Sequence, residues 1–231
     1  MIEAIGLDAD DTLWENETFF RVTEAEFCGL LAEHGDAEAI AARLFDTERA
    51  NLAHYGYGIK GFMLSMIQTA VELTDGAVDG RTISRILELG QEMLAHPVKL
   101  LPGVPEALDR LTGRTLILIT KGDLMDQERK VAASGLGERF AAVEIVADKT
   151  PEAYARVLHG QGVAPERFLM AGNSMRSDVI PVLEIGGWGV FIPHELTWLV
   201  ERVDAPDHPR LRQLGSMSEL PDLVARLEDA A

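Results

Sequence analysis

Five short aliphatic runs constrain this chain more than any other feature. They are IEAIGL, TLILIT, AVEIVA, RFLMAG and WGVFI, and segments with helical spacing separate them. Runs that are apolar on both sides of the backbone suit strands buried on both faces. Their alternation with PEALDRL, MDQERKVAAS, PEAYARVL and SDVIPVLEI indicates a parallel sheet covered by helices. The predicted class is α/β, a Rossmann-like parallel sheet with helices on both faces, closed by a last helix in SMSELPDLVARLE.

Between the first and second runs the texture changes. From Asn16 to about His96 the apolar residues recur at helical spacing, as in Phe20, Phe27 and Leu31, then Phe62, Met66, Ala70 and Leu73, then Ile83, Ile86, Leu87 and Leu94. No strand-like run interrupts them. Four helices are expected, with breaks at His34-Gly35-Asp36, at Tyr55-Gly56-Tyr57-Gly58 and from Thr74 to Gly80. The organisation predicted is an α/β core of residues 1–15 and 98–231 with an all-α insertion over 16–97. Trp14 to Glu17 would lead out of the core, and HPVKLLPGV, with Pro97, Pro102 and Gly103, would lead back.

A chain of 231 residues, 47% of them hydrophobic, can bury such a core with one insertion. Its 38 acidic residues outnumber 21 basic ones for a formal charge of −17, without a basic patch, which argues against nucleic acid and anionic membrane partners. Cys28 is the sole cysteine and has no internal disulfide partner. Its apolar setting suits a buried small hydrophobe in a reducing cytoplasm. No window reaches the ~18 apolar residues of a membrane span, and no basic flank precedes the first apolar run, so a cytoplasmic protein is expected.

In open parallel sheets, ligands bind beyond the carboxyl ends of the strands. The first run ends in Asp8-Ala9-Asp10-Asp11-Thr12 and the second in Thr120-Lys121-Gly122-Asp123. The third is followed by Asp148-Lys149-Thr150-Pro151 and the fourth by Gly172-Asn173-Ser174, with Asp178 on the next helix. Taken singly, each has a structural explanation. Thr150 before Pro151 reads as a helix N-cap, Gly172-Asn173 as a turn, and Asp11 as an acid bonding its own turn. Taken together, acid, hydroxyl, ammonium and acid at four successive strand ends exceed what capping requires.

Crowded carboxylate and amide oxygens repel unless a cation holds them, and oxygen ligands without His or Cys select Mg²⁺ over zinc. Thr120, with the N–H groups of Lys121 and Gly122, offers a cradle for phosphate oxygens, and Lys149 a point charge for the same anion. A phosphate-bearing substrate is the expectation.

These motifs resemble the haloacid dehalogenase superfamily, whose members are mostly Mg²⁺-dependent phosphatases. LDADDTL is similar to the family's first motif, a strand ending Asp-x-Asp-x-Thr. LILIT resembles the second, Lys149 before Thr-Pro the third, and GNSMRSD the fourth, while the helical insertion resembles the family's cap domain. The resemblance implies that Asp8 is the nucleophile forming an aspartyl-phosphate, that Asp10 is the general acid and base, and that Thr120 and Lys149 stabilise the transferring oxygens. Mg²⁺ would be held by Asp8, the Asp10 carbonyl and the fourth motif, for which Asn173 and Asp178 are both candidates. Asn173 departs from the family's usual aspartate and removes one charge.

Lys121 would grip phosphate or pair with an acid such as Asp123. In the insertion, Lys60 and Tyr57 are the candidates to face substrate from a helix break, while Tyr55, Arg21 and Arg43 read as surface residues. The substrate expected is a small phosphate ester, and the oligomeric state is open.

Other activities fit the same resemblance. A haloacid dehalogenase would need neither Mg²⁺ nor Asp10, because a halide leaves without a proton. A phosphonate hydrolase would use Lys60 as a Schiff base, and a phosphomutase would return phosphate to a sugar. A receiver-type signalling domain needs about half this length. A catalytically degenerate binding protein finds its support in Asn173.

Overall fold

The computed structural model describes residues 1–229. Six parallel strands form one sheet in the order β3-β2-β1-β4-β5-β6: β1 (Ala4–Leu7), β2 (Thr115–Lys121), β3 (Ala142–Val146), β4 (Phe168–Gly172), β5 (Trp188–Phe191) and β6 (Leu211–Gln213). Five of these coincide with the aliphatic runs. The sixth, Leu-Arg-Gln at the sheet edge, is too short and too polar to leave a periodic signal.

The chain divides into two compact units. One comprises Met1–Glu17, Val98–Lys121 and Gln127–Ala231, of which residues through 229 are described. The other comprises Thr18–Pro97 and Gly122–Asp126.

In the first unit the period of the strands sorts side chains onto two faces. Ile5, Leu7, Leu116, Leu118, Leu169, Ala171 and Val190 pack with α5 (Val104–Arg110), α6 (Leu124–Ser134) and α9 (Leu220–Asp229). Ala4, Ile117, Ile119, Phe168 and Met170 pack on the opposite side with α7 (Pro151–Gln161) and α8 (Ile180–Glu184). The outgoing and returning linkers pair: Leu101 N donates to Leu13 O at 2.9 Å, and Glu15 N to Lys99 O at 3.0 Å.

The second unit carries the four expected helices, α1 (Glu17–Leu30), α2 (Ala37–Tyr55), α3 (Ile59–Leu73) and α4 (Gly80–Ala95). They close over Phe27, Leu31, Leu44, Phe62, Met66, Ala70 and Ile86, with Cys28 buried among them. Asp36 and Asp79 cap α2 and α4 through their side chains. Arg43 pairs with Glu72 and Arg21 with Glu24, and Tyr55 is exposed, as surface residues should be. Among the described residues no helix is long and apolar enough to cross a membrane.

Candidate active site

The order of connection reverses between β1 and β4, and that crevice is where open α/β sheets place their ligands. Asp8 follows β1 directly and continues the ladder, its N–H donating to Ala171 O at 3.0 Å. Its buried carboxylate is held on both oxygens. Lys149 Nζ donates to Oδ1 at 2.5 Å and Thr12 Oγ1 to Oδ2 at 2.8 Å. Lys149 also donates to Asp178 Oδ1 at 2.6 Å, so one ammonium, 2% exposed, ties two buried carboxylates. Burial alone would discharge that lysine, but the anions of Asp178 and Asp8 overcome it and raise its pKa. Burial, with the charge of Asp8 added, pushes Asp178 up to about 6 against the opposing pull of Lys149.

The turn after β4 delivers Asn173 and Asp178 through a single π-helical turn, Met175–Val179, a form that recurs at functional sites. Asp178 Oδ2 accepts from Ser174 N at 2.9 Å. Gly172 is needed here for space: a Cβ would stand 2.3 Å from Asp178 Oδ2. Asn173 N donates to Thr12 Oγ1 at 3.1 Å, which links the first and fourth motifs.

Asp10 is clamped by residues that the sequence reading missed. Lys130 Nζ reaches both carboxylate oxygens at 2.7 Å, Trp14 Nε1 donates to Oδ1 at 2.7 Å, and Gln127 Nε2 donates to Oδ2 at 2.9 Å. Burial opposes ionisation, but the Lys130 charge and these donors outweigh it and lower the pKa. Gln127 Nε2 also donates to Thr120 Oγ1 at 3.0 Å. Because that hydroxyl accepts from Gln127, its own proton is left to donate. Gln127 and Lys130 stand three apart on α6, so they share a helix face. That spacing was the available signal.

Asp11 does what the turn requires. It is left-handed, with φ 59°; its Oδ1 accepts from Asn16 N at 2.8 Å, and both its carboxylate oxygens accept from Glu17 N, at 3.1 and 3.0 Å. Thr150 caps α7, accepting from Ala153 N at 3.2 Å.

Lys121 is paired rather than left to grip an anion, and its partner differs from the acid expected. Its ammonium donates to Ser177 Oγ at 2.8 Å and to Glu201. Asp123 instead binds Lys60, at 3.0 Å to each oxygen, and both lie in the helical unit. Tyr57, half-buried, sits there between Gly56 and Gly58, whose φ values of 69° and 110° make the break. Gly122, with φ 142°, begins the Gly122–Asp126 segment of the same unit.

With this geometry in place, the comparisons decide the family. A model of haloacid dehalogenase-like hydrolases matches residues 2–186. This chain belongs to that family. A haloacid dehalogenase-like family hydrolase from Xanthomonas campestris is 43% identical, with a TM-score of 0.89, and the match covers 99% of this chain and 93% of that one. An L-2-haloacid dehalogenase from Xanthobacter autotrophicus is 20% identical at a TM-score of 0.68, covering 97% and 99%. A predicted phosphoglycolate phosphatase from Haemophilus somnus is 14% identical at 0.64, covering 96% and 98%. The last two speak for the fold alone. No curated protein matches.

Among the described residues of this hydrolase, no three His, Cys, Asp or Glu side chains are grouped to hold a metal. What converges instead is one carboxylate, one backbone carbonyl and one amide. An amide atom of Asn173 lies 3.2 Å from Asp8 Oδ2 and 3.3 Å from Asp10 O. With its oxygen turned inward, Asn173 completes a trio of hard oxygen donors that suits Mg²⁺, an ion that fills its remaining positions with water and substrate phosphate. The donor set therefore fits the metal.

Proposed function

We propose that this hydrolase cleaves a small phosphate monoester through an aspartyl-phosphate on Asp8. The observation that carries the reading is the doubly held Asp8 carboxylate, with Lys149 at 2.5 Å and Thr12 at 2.8 Å, followed two residues later by a clamped acid. A fixed carboxylate is a nucleophile of defined direction, and Lys149 supplies positive charge where phosphoryl oxygens gather. Thr120 donates its free proton to the same oxygens.

In the first step an Asp8 oxygen bonds to phosphorus, the ester P–O bond breaks, and the departing oxygen takes a proton from Asp10. In the second, water attacks phosphorus, Asp10 takes its proton, and the Asp8–phosphorus bond breaks. The Lys130, Trp14 and Gln127 contacts favour the anion, the form that serves the second step. The first step needs a proton on Asp10 and so goes with loosening of the Lys130 contact. Asp8, the Asp10 carbonyl and Asn173 would hold Mg²⁺, which when bound offsets the repulsion between an anionic nucleophile and an anionic substrate.

A dehalogenase is the second reading. Asn173 favours it, since an inward amide nitrogen satisfies Asp8 without a metal. It leaves the clamp on Asp10 without a task, because a halide needs no proton. The deciding experiment compares aryl phosphate hydrolysis with Mg²⁺ against halide release from 2-chloropropionate, for wild type and Asp8→Asn. Phosphate release that Asp8→Asn abolishes supports the first reading. Halide release without phosphate release rejects it.

A further inference from the structure

The inward amide atom of Asn173 faces two acceptors, Asp8 Oδ2 at 3.2 Å and Asp10 O at 3.3 Å. A nitrogen there donates to both. An oxygen there sets three oxygens together with only the Thr12 hydroxyl proton beside them, and that proton is already given to Asp8 Oδ2 at 2.8 Å, an arrangement that favours a cation. Exchanging the two states rotates the terminal amide while the backbone is held independently, and with the oxygen inward the outer NH₂ faces donors, a cost that a bound ion has to offset. Asn173 N is bonded to Thr12 Oγ1, and Ser174 N to Asp178 Oδ2.

We infer that Asn173 is a two-position ligand, donating its amide nitrogen to Asp8 and Asp10 in the metal-free chain and turning its oxygen inward when Mg²⁺ binds. An aspartate at this place has only oxygens to offer. It would add a third carboxylate beside Asp8 and Asp178, around the one ammonium of Lys149. The amide therefore lets the site close on its own hydrogen bonds when no metal is present, at the expense of one charge toward the ion. Two consequences follow. The fold does not depend on Mg²⁺, because weak binding adds little to stability. The metal is taken up chiefly when the substrate's phosphate supplies the missing negative charge.

The inference rests on the phosphatase reading only in taking Mg²⁺ as the cation, and its test needs no substrate. The probe is MgCl₂ alone, added to wild type, Asn173→Asp and Asn173→Ala, read by thermal unfolding, by calorimetric titration and by NMR of the Asn173 side-chain NH₂. In EDTA, the wild-type NH₂ should exchange slowly and Asn173→Ala should melt lower than wild type. Asn173→Asp should melt lowest in EDTA, recover with Mg²⁺, and bind the ion about tenfold or more tightly because of its extra charge. Raising Mg²⁺ should shift the wild-type NH₂ signal and restore fast exchange.

Three results would overturn the inference: a freely exchanging NH₂ in EDTA, an NH₂ signal that stays put while Asn173→Asp binds Mg²⁺, or equal affinity in wild type and Asn173→Asp. A failure of phosphate turnover would leave all three measurements unchanged, so the two claims fail separately.

Discussion

Lys121 and Glu201 offer the sharpest test of how the fourth-motif loop is held. Glu201 belongs to a short turn, Leu199–Glu201, and binds Lys121 while accepting from Ser174 Oγ and, at 2.6 Å, from Ser177 Oγ. Ser174 caps the π-turn that carries Asp178 and Ser177 lies within it, so one carboxylate ties the end of β2 to the loop after β4. The side chains of Lys121 and Glu201 are 16% and 9% exposed, which places the pair between surface and interior.

Truncating one partner of a fully buried pair costs about 3–5 kcal/mol, and the residual exposure brings the expectation for Lys121→Met to about 2–3 kcal/mol. Glu201→Gln keeps an acceptor for a serine but turns charge-assisted bonds into neutral ones, for a loss of about 2 kcal/mol. The double variant should lose less than the sum by about 1.5 kcal/mol or more, since the two sites touch. Urea denaturation of the four proteins at pH 7 closes the cycle.

The same cycle has a pH dependence of known sign. Burial raises the Glu201 pKa, but Lys121 and the two serine hydroxyls outweigh it and bring it below 4.5. A depressed folded pKa contributes stability that is present above the unfolded value and lost as pH falls through the folded one. The coupling should therefore shrink in acid. A coupling below about 0.5 kcal/mol at pH 7, the range of independent sites, would refute the claim that this pair fastens the loop.

Two further perturbations address the buried carboxylates of Asp8 and Asp178. Lys149→Met leaves Asp8 and Asp178 buried without their shared cation and should cost about 3–5 kcal/mol at pH 7. Because the folded pKa of Asp178 is raised, to about 6, its charge is a burden above that pH. Lys149 is among the groups that lower this pKa, so its removal raises Asp178 further; the loss should ease as pH falls toward 6 and level off below it, and a pH-independent loss in denaturation curves would contradict the assignment. Gly172→Ala places a Cβ 2.4 Å from Asp178 Cγ and should cost about 1–3 kcal/mol by crowding while displacing Asp178 from Lys149. Gly160→Ala, in open space on α7, should be neutral or stabilising by up to about 1 kcal/mol, and equal effects in thermal melts would deny that the fit at Gly172 is special.

What was legible in the sequence depended on the kind of constraint each residue obeys. Asp8, Thr120 and Lys149 could be found because each lies at or within three residues of the carboxyl end of a strand, and in a parallel sheet that placement carries a residue to the rim where ligands bind. Asp11 and Thr150 were legible for a simpler reason: their partners lie within six residues, so the local motif contains the whole interaction.

Glu201 obeys neither kind of rule. It lies 80 positions from Lys121, in a stretch without period or strand, and only the burial of opposite charges joins the two. The same is true of Lys130, 120 positions from Asp10, although its spacing from Gln127 placed both on one helical face. Charge pairs of this sort are chosen by desolvation, which acts only once the chain has closed, so no local pattern needs to announce them.

Asn173 falls between these cases, and for that reason it is the most informative residue of the set. Its position was legible and its departure from aspartate was visible, yet a missing charge by itself suggests only a weaker or degenerate site. The distances to Asp8 and Asp10 change that meaning: the amide offers a donor where a carboxylate could offer none. On the inference drawn above, an amide in place of a carboxylate would exchange affinity for a metal against the ability to stay hydrogen-bonded in its absence.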